Sequence, residues 1–401
     1  MVVAQINFSC TWGSTGRICD SVSKLLSEQQ IENYIFYIYG NNAHRKTNYI
    51  KYGDFVYTKF QALKSKVFGN YGFNSYLATR KLINKLDQIK PDIVHIHNIH
   101  GHDCNFEMLF KYLKKKEVKV FYTFHDCWAF TGYCPHFTMV NCNHWLSGCG
   151  NCQLKKKHSW FLDKSAKNFL RKREALSNLD LTIIVPSQWM ADLVKKSFLK
   201  DYPVKVVNNG IDLSIFKPKE SSFYKKQNKL QNKKIVLGVA LIWGVAKGID
   251  VFIQLANSLS EDYQIILIGT DDKVDKFLPD NILSIHRTQN QQELAEIYSA
   301  ADVFVNPTRE ENYPTVNMEA LACGTPVLTF RTGGSPEMID DTCGSVVECD
   351  DVDALEKEIV RICTERPYTK EACINKAKEF DKNERFKEYL ALYERIDSAR
   401  T

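Results

Sequence analysis

The sequence predicts an α/β protein made of two doubly wound, Rossmann-like domains, and three observations carry that prediction. Strand-like apolar runs alternate with helical patterns along the whole chain, the order expected of parallel sheets covered by helices on both faces. The 401 residues are enough for two domains of ordinary size. Between the halves, residues 217–234 read KPKESSFYKKQNKLQNKK, polar and nearly free of apolar periodicity, as a linker would be. The expected domains are therefore 1–215 and 216–385, followed by a C-terminal helix over 386–401.

In the first domain, strands are predicted at 2–8, 34–38, 92–97, 118–124 and 181–186, with helices at 18–30 and 74–89 among the elements between them. In the second, strands are predicted at 235–240, 264–269, 282–286, 303–306 and 327–330. Open α/β sheets bind ligands beyond the carboxyl ends of their strands, so the residues just after each strand are the ones to inspect.

Composition narrows the class. Hydrophobic residues make up 44% of the chain and charged residues 25%, as in soluble globular proteins. No apolar run approaches the roughly 18 to 20 residues that cross a bilayer, and the opening MVVAQINFSC reads as a first strand, not a signal peptide. A cytoplasmic protein is expected. The net charge of +6 hides an asymmetry: residues 1–215 hold 29 Lys and Arg against 16 Asp and Glu, and the remainder holds 24 against 31. Basic clusters at Lys111/Lys114/Lys115/Lys116, Lys155/Lys156/Lys157 and Lys167/Arg171/Lys172/Arg173 read either as a solvated face or as a surface for an anionic membrane leaflet. Nucleic acid is not an expected partner, because no binding module and no aromatic-interleaved basic run is present.

The stretch most informative about function is PTREENYPTVNMEALACG, residues 307–324. It follows the strand pattern ADVFVN, placing Glu311 in a loop and Glu319 about one turn into a helix. Pro314 suits the first helical position and Gly324 the position just past the last. The helix start at Pro314, Thr315 and Val316 offers unpaired N–H groups and a partial positive charge, which suits a diphosphate. Two carboxylates there would repel bare phosphate, but they can accept hydrogen bonds from the hydroxyls of a sugar and a ribose. A capped surface helix with solvated acids is the plainer reading.

Glu311, seven intervening residues and Glu319, followed by Ala-Leu-Ala-Cys-Gly-Thr-Pro-Val, resemble the E-x7-E signature of glycosyltransferase family 4. These are retaining enzymes of GT-B fold, with two domains facing each other across a cleft. The resemblance implies that Glu311 contacts the donor sugar and Glu319 the ribose, and it puts Asn312, Tyr313, Pro314, Thr315 and Val316 in the donor site. Tyr122-Thr123-Phe124-His125-Asp126 resembles the family's T-x-H-D segment, which implies that His125 contacts the donor sugar. An imidazole there can assist the transferred group, and Asp126 is expected to fix its tautomer; capping of a helix start is the other reading of Asp126. Lys247-Gly248 resembles the family's K-G, with the lysine neutralising the leaving diphosphate. The family arginine five residues earlier is Ile242 here, leaving Lys247, the helix start and Arg309 or Arg17 to meet two phosphates. Trp12-Gly13-Ser14-Thr15-Gly16-Arg17 forms a glycine-containing turn that the resemblance sets beside the donor phosphates and the acceptor, with Gly16 in contact with the donor. Residues 207–212 resemble the N-G-I-D segment at the interdomain crossing, Gly333-Gly334 completes the pattern, and the C-terminal helix is expected to return to the first domain.

Two side-chain clusters need separate readings. His95, His97, His100 and His102 mix strand and loop spacing without a matching carboxylate, so cleft-lining or structural roles are favoured over a metal. Thirteen cysteines in a chain expected to be cytoplasmic argue against disulfides. Five crowd into an insertion at 127–152. Of these, Cys134, Cys142, Cys149 and Cys152 are expected to hold a structural zinc that would order a segment poor in apolar residues; free thiols or a redox role are the alternatives. The segment H-D-C-W-A-F-T-G-Y-C is similar to one in bacterial capsule and colanic-acid-type members of the family.

The resemblance implies a retaining hexosyltransferase that needs no metal for catalysis. It implies a nucleoside diphosphate-sugar donor, a UDP-sugar ahead of a GDP-sugar, and a saccharide acceptor, lipid-linked, in bacterial surface polysaccharide (O-antigen, capsule or exopolysaccharide) assembly. Peripheral association with the inner membrane through the basic first domain is expected. The competing reading is a GT-B-fold sugar-nucleotide epimerase or a non-catalytic carbohydrate-binding scaffold, and the intact Glu311 and Glu319 count against a silent protein.

Overall fold

The computed structural model describes residues 1–40, 48–220 and 222–397. The chain folds as two compact units, one comprising residues up to Asn208 and again from Phe386, the other Asn209–Arg385. In the first unit a seven-stranded sheet runs in the order Tyr49–Lys51, Glu32–Tyr37, Val2–Ile6, Ile93–Ile96, Lys119–Thr123, Leu181–Val185, Val204–Val206. Every pairing is parallel. Its central strands are buried on both faces, which is why they read as apolar runs without alternation. One face packs Leu82, Leu86, Leu109 and Phe110. The other packs Ile18, Val22 and Leu26 together with Phe386, Tyr389 and Tyr393 of the last helix, Lys382–Asp397.

The second unit holds a six-stranded parallel sheet in the order Ile282–Ile285, Tyr263–Ile268, Lys234–Val239, Val303–Asn306, Val327–Phe330, Gly344–Val347. In each sheet the strand order reverses beside the first strand of the unit. The reversal lies between Val2–Ile6 and Ile93–Ile96 in one sheet and between Lys234–Val239 and Val303–Asn306 in the other. The loops leaving those strand ends therefore flank a topological switch point, the usual ligand position in open α/β sheets.

Three expectations need correction. The division falls at Asn208/Asn209 and not at 215/216, because Ile211 and Phe216 are buried in the second unit's core and Ile211 exchanges backbone hydrogen bonds with Phe380 and Lys382. Residues 217–234 do not link the units: they lie on the second one, where the Lys219 N–H bonds Ser299, Lys225 pairs with Asp302 and Leu230 is buried. The structure also holds elements that the apolar pattern of the sequence does not mark: the helix Phe55–Phe68 and the strands Tyr49–Lys51, Val204–Val206 and Gly344–Val347. Those strands lie at sheet edges, and each has only three or four residues.

Candidate active site

In the second unit, two glycines fix the loop between Val303–Asn306 and the helix Thr315–Ala322. Gly248 has φ +75°, and a Cβ there would stand 2.4 Å from the Pro307 carbonyl oxygen. Gly333 has φ +58°, and its Cβ would stand 2.1 Å from the Glu311 carbonyl oxygen. Both positions tolerate only glycine, since the backbone is left-handed and the neighbour is main chain. The Gly334 N–H then bonds the Asn312 carbonyl at 2.7 Å, and Asn306 Nδ2 bonds Asn317 Oδ1 at 2.8 Å, tying the strand end to the helix. Pro314 is the residue before the helix, with ψ 121°, so the first helical residue is Thr315 and not Pro314 as expected. Gly324, at φ +81°, follows the last turn as predicted.

This framework gathers Lys247, the segment Glu311–Val316 and Glu319 at the carboxyl end of the second sheet. Lys247 Nζ lies 2.6 Å from Glu311 Oε2, and Glu311 Oε1 accepts the Asn312 N–H at 3.1 Å. Glu319 is buried and accepts the Tyr298 hydroxyl at 3.1 Å. Burial, with the Glu319 charge beside it, pushes the Tyr298 phenol up. Arg309 is not placed for phosphate. Its guanidinium forks onto Asp250 at 2.8 Å, reaches Asp350 and bonds the Val245 carbonyl, which staples the loop after Lys234–Val239 to the one after Val303–Asn306. Ile242 is 77% exposed in the first of those loops.

In the first unit, the turn at Trp12–Arg17 starts the helix Gly13–Glu28. Gly16 is buried, and a Cβ would meet Ser9 Oγ at 3.0 Å and Ser9 backbone at 3.3 Å, so the turn sits flush on the short strand Ser9–Cys10 that follows Val2–Ile6. His125 stands at the carboxyl end of Lys119–Thr123, and its Nε2 pairs with His97 Nδ1 at 3.2 Å. Burial pushes His125 down to about 4, with Asp126 opposing, so the ring is neutral at neutral pH. Asp126 does not bond His125 as expected. It accepts from His100 at 2.8 Å and from the Trp128 N–H at 2.8 Å, and it lies one residue ahead of Cys127, which is the cap of the short turn Trp128–Phe130. Burial opposes ionisation of Asp126, yet the His100 imidazole and the N–H hold it down at about 2. His95 is structural, bonded to Thr123 and Tyr393, and burial pushes it down to about 3.

Cys134, Cys142, Cys149 and Cys152 line one small cavity with Phe137, His144 and Trp145. Cys134 and Cys152 act on each other, and their interaction pushes the first thiol up and the second down. Cys149 accepts the Gly132 N–H at 3.2 Å. Lys172 is fully buried close by, with Nζ bonded to the Trp128 and Thr131 carbonyls at 2.6 and 2.9 Å, and burial pushes its ammonium down while Cys149, Asp126 and Cys134 favour it. Lys172 is therefore not part of a solvated basic face. It shares the buried stripe Phe169, Lys172, Ala175 and Leu176 of its helix, a spacing visible in the sequence. The donor set fits a soft tetrahedral ion in chemistry, four sulfurs around one cavity with an N–H donor and a buried cation to offset thiolate charge. Among the described residues, the ligand atoms gathered within 4.8 Å of one another are those of Asp272, Asp275 and His286. The sulfurs would have to draw together to close on an ion.

Two family models match the chain: "Glycosyltransferase Family 4" over residues 17–215 and "Glycosyl transferases group 1" over residues 233–365. The sequence is 21% identical over 372 residues to the putative colanic acid biosynthesis glycosyl transferase WcaC of Escherichia coli, covering 88% of each protein. Among solved structures, the sucrose-phosphate synthase of Thermosynechococcus elongatus superposes with a TM-score of 0.72 at 16% identity over 99% of each chain. The Anabaena protein HepE, solved in complex with UDP-glucose, superposes with a TM-score of 0.65 at 14% identity, over 98% of this chain and 99% of its own. At these identities the superpositions speak for a shared fold.

Proposed function

The chain belongs to glycosyltransferase family 4 and has the GT-B fold, and on that premise we propose that it transfers a hexosyl group with retention from a nucleoside diphosphate-sugar to a lipid-linked saccharide during bacterial surface polysaccharide assembly. A UDP-sugar is favoured as donor over a GDP-sugar, a preference supported by the HepE complex with UDP-glucose. The observation that carries the reading is the convergence of Lys247, Glu311 and the start of helix Thr315–Ala322 at the carboxyl end of one sheet. Lys247 and the N–H groups of Thr315 and Val316 would take the diphosphate. Glu311 would accept hydroxyls of the donor sugar and Glu319 those of the ribose, while Asn312, Tyr313 and Pro314 shape the loop between them. Gly16 would admit the donor to the first unit's strand ends, and neutral His125 would bond a sugar hydroxyl. The protein's contribution to rate is then positioning and stabilisation of charge on the leaving diphosphate. With Ile242 in the family's arginine position and Arg309 held by Asp250, Lys247 carries more of that charge.

The working place is the cytoplasmic face of the inner membrane; no helix among the described residues is long and apolar enough to cross a bilayer. The cysteine quartet is the proposed holder of a structural zinc, remote in role from the chemistry. Mass spectrometry of products after offering UDP-, GDP- and dTDP-sugars with lipid-linked acceptors tests the reading. Acceptor heavier by one hexosyl residue supports it, and recovery of an epimerised donor or of no product across the panel overturns it.

A further inference from the structure

The helix Phe55–Phe68 is folded with its polar side inward. Its buried residues are Thr58, Gln61 and Ser65, while Val56 is 75% exposed, Phe60 54% and Leu63 48%. Val56, Phe60 and Leu63 are spaced i, i+4, i+7 and so form one stripe on the outer face, which the half-buried Val67 extends at i+11. Lys59 and Lys66 border it on one side and Lys64 on the other. Lys59 and Lys64 fold their ammonium groups over the Phe55 and Phe60 rings, each 4.9 Å from the centroid. The apolar surface continues past the helix: the Trp160 N–H bonds the Lys66 carbonyl at 2.7 Å, seating the exposed run Trp160, Phe161 and Leu162 against the last turn. Lys66 also bonds the Lys157 carbonyl, bringing Lys155, Lys156 and Lys157 to the same border.

We infer that this helix and the Trp160–Leu162 run form a docking face for an anionic lipid bilayer. Apolar side chains on an outward stripe gain by leaving water for the acyl boundary, the lysine stems can reach back to headgroup phosphates, and tryptophan favours that interface. The flanking charge selects this occupant over a second copy of the chain. A two-fold contact through the stripe would set lysine borders of one copy against those of the other. Asp54, the acid at the helix start, is occupied in capping, accepting the Val56 and Tyr57 N–H groups. The face also touches the glycine turn: Trp12 meets Tyr39 edge-on at 5.2 Å, and Tyr39 meets Phe55 at 5.5 Å. Docking would thus bring the turn that carries Gly16 to the membrane surface, where a lipid-linked acceptor resides. That purpose rests on the proposed acceptor, whereas the docking itself does not.

The test is co-sedimentation of the full chain with vesicles of phosphatidylethanolamine and phosphatidylglycerol, against vesicles of phosphatidylcholine, without donor or acceptor. Wild-type protein should partition onto the anionic vesicles alone, less so at high salt. The variants Phe60→Ser/Leu63→Ser and Lys59→Gln/Lys64→Gln should each lose about ten-fold or more of that partition. Both should keep the wild-type melting temperature, since the altered side chains are exposed, and wild-type turnover on a soluble acceptor. Absence of wild-type binding to anionic vesicles, or undiminished binding by Phe60→Ser/Leu63→Ser, overturns the inference. So does a wild-type dimer in light scattering that the same variant converts to monomer, which would give the face to a second copy. Donor turnover is read separately, so failure here leaves the transferase reading standing.

Discussion

Lys247 and Glu311 are bonded to each other, Nζ to Oε2 at 2.6 Å, so the cation proposed for the diphosphate and the carboxylate proposed for the sugar form one ion pair. Both side chains are partly exposed, and such a pair contributes little net stability. Arrival of a diphosphate can therefore draw the lysine away and release the carboxylate for sugar hydroxyls. Lys247→Ala should weaken UDP binding more than uridine binding in calorimetry, and Glu311→Gln should tighten UDP by freeing the lysine. Glu311→Ala should lower turnover by about 10² to 10³, the scale for losing one preorganised contact to the reacting group. Turnover near wild type would remove Glu311 from the site, and equal losses for UDP and uridine would remove Lys247 from the phosphates.

Glu319 has a second duty that a ribose ligand alone would not need. It holds the buried Tyr298 hydroxyl, so Glu319→Ala should cost about 1 to 3 kcal/mol of stability by leaving that hydroxyl unpaired, in addition to weakening donor binding. Tyr298→Phe separates the two effects, because it removes the hydroxyl while leaving the carboxylate. Donor affinity should persist in Tyr298→Phe and fall in Glu319→Ala. Loss of affinity to the same degree in both would make Glu319 a purely structural acid.

What could be read from the sequence divides along physical lines. Strands such as Val303–Asn306 and Val327–Phe330 were legible to the residue because fully buried parallel strands are uninterrupted apolar runs bounded by Gly, Pro or Asn. Glu311, Glu319 and Lys247 were legible because their segments resemble the family's E-x7-E and K-G, and in the structure all three follow strands at the sheet's switch point. Which acid bonds which histidine was not: Asp126 turned to His100 instead of the adjacent His125, a choice made by loops far apart in sequence. Arg309 looked available until Asp250, 59 residues away, was seen to hold it. The helix Phe55–Phe68 escaped notice because apolar periodicity is taken to mark the buried side, and here it marks the exposed one.

Purified protein should carry about one zinc per chain, bound by Cys134, Cys142, Cys149 and Cys152, if it is prepared without chelators. Lys172 gives this expectation its force: burial pushes its ammonium down, and thiolates on a metal beside it would supply the negative charge that favours the protonated form. Lys172→Met should therefore lower zinc affinity as well as stability, and chelation should reduce the melting temperature without competing with donor. Elemental analysis showing no metal would sink the zinc, while activity strictly dependent on added zinc would move it into the chemistry.

Five imidazoles of the first unit are held neutral by burial, His95 pushed down to about 3, His102, His125 and His158 to about 4, and His97 also well down. The unfolded chain takes up these protons near the ordinary value of about 6.5, before the folded chain does. Their contribution is thus complete above that value and is lost as pH falls from it toward 4, each group at no more than about 1.4 kcal/mol per pH unit. Asp103 runs the other way: burial holds it up at about 6, so folding favours its protonation and offsets one histidine between roughly pH 6 and 4. The net expectation is a steep loss of stability on acidification from pH 6.5, measured by denaturant titration at successive pH values. His158 stacks between Tyr71 and Tyr133, with centroids at 5.6 and 5.4 Å, so His158→Phe should keep the stack and flatten the slope by one group's share. Stability unchanged between pH 7 and 5, or a slope identical in His158→Phe, would show that these rings are already reached by protons in the folded protein.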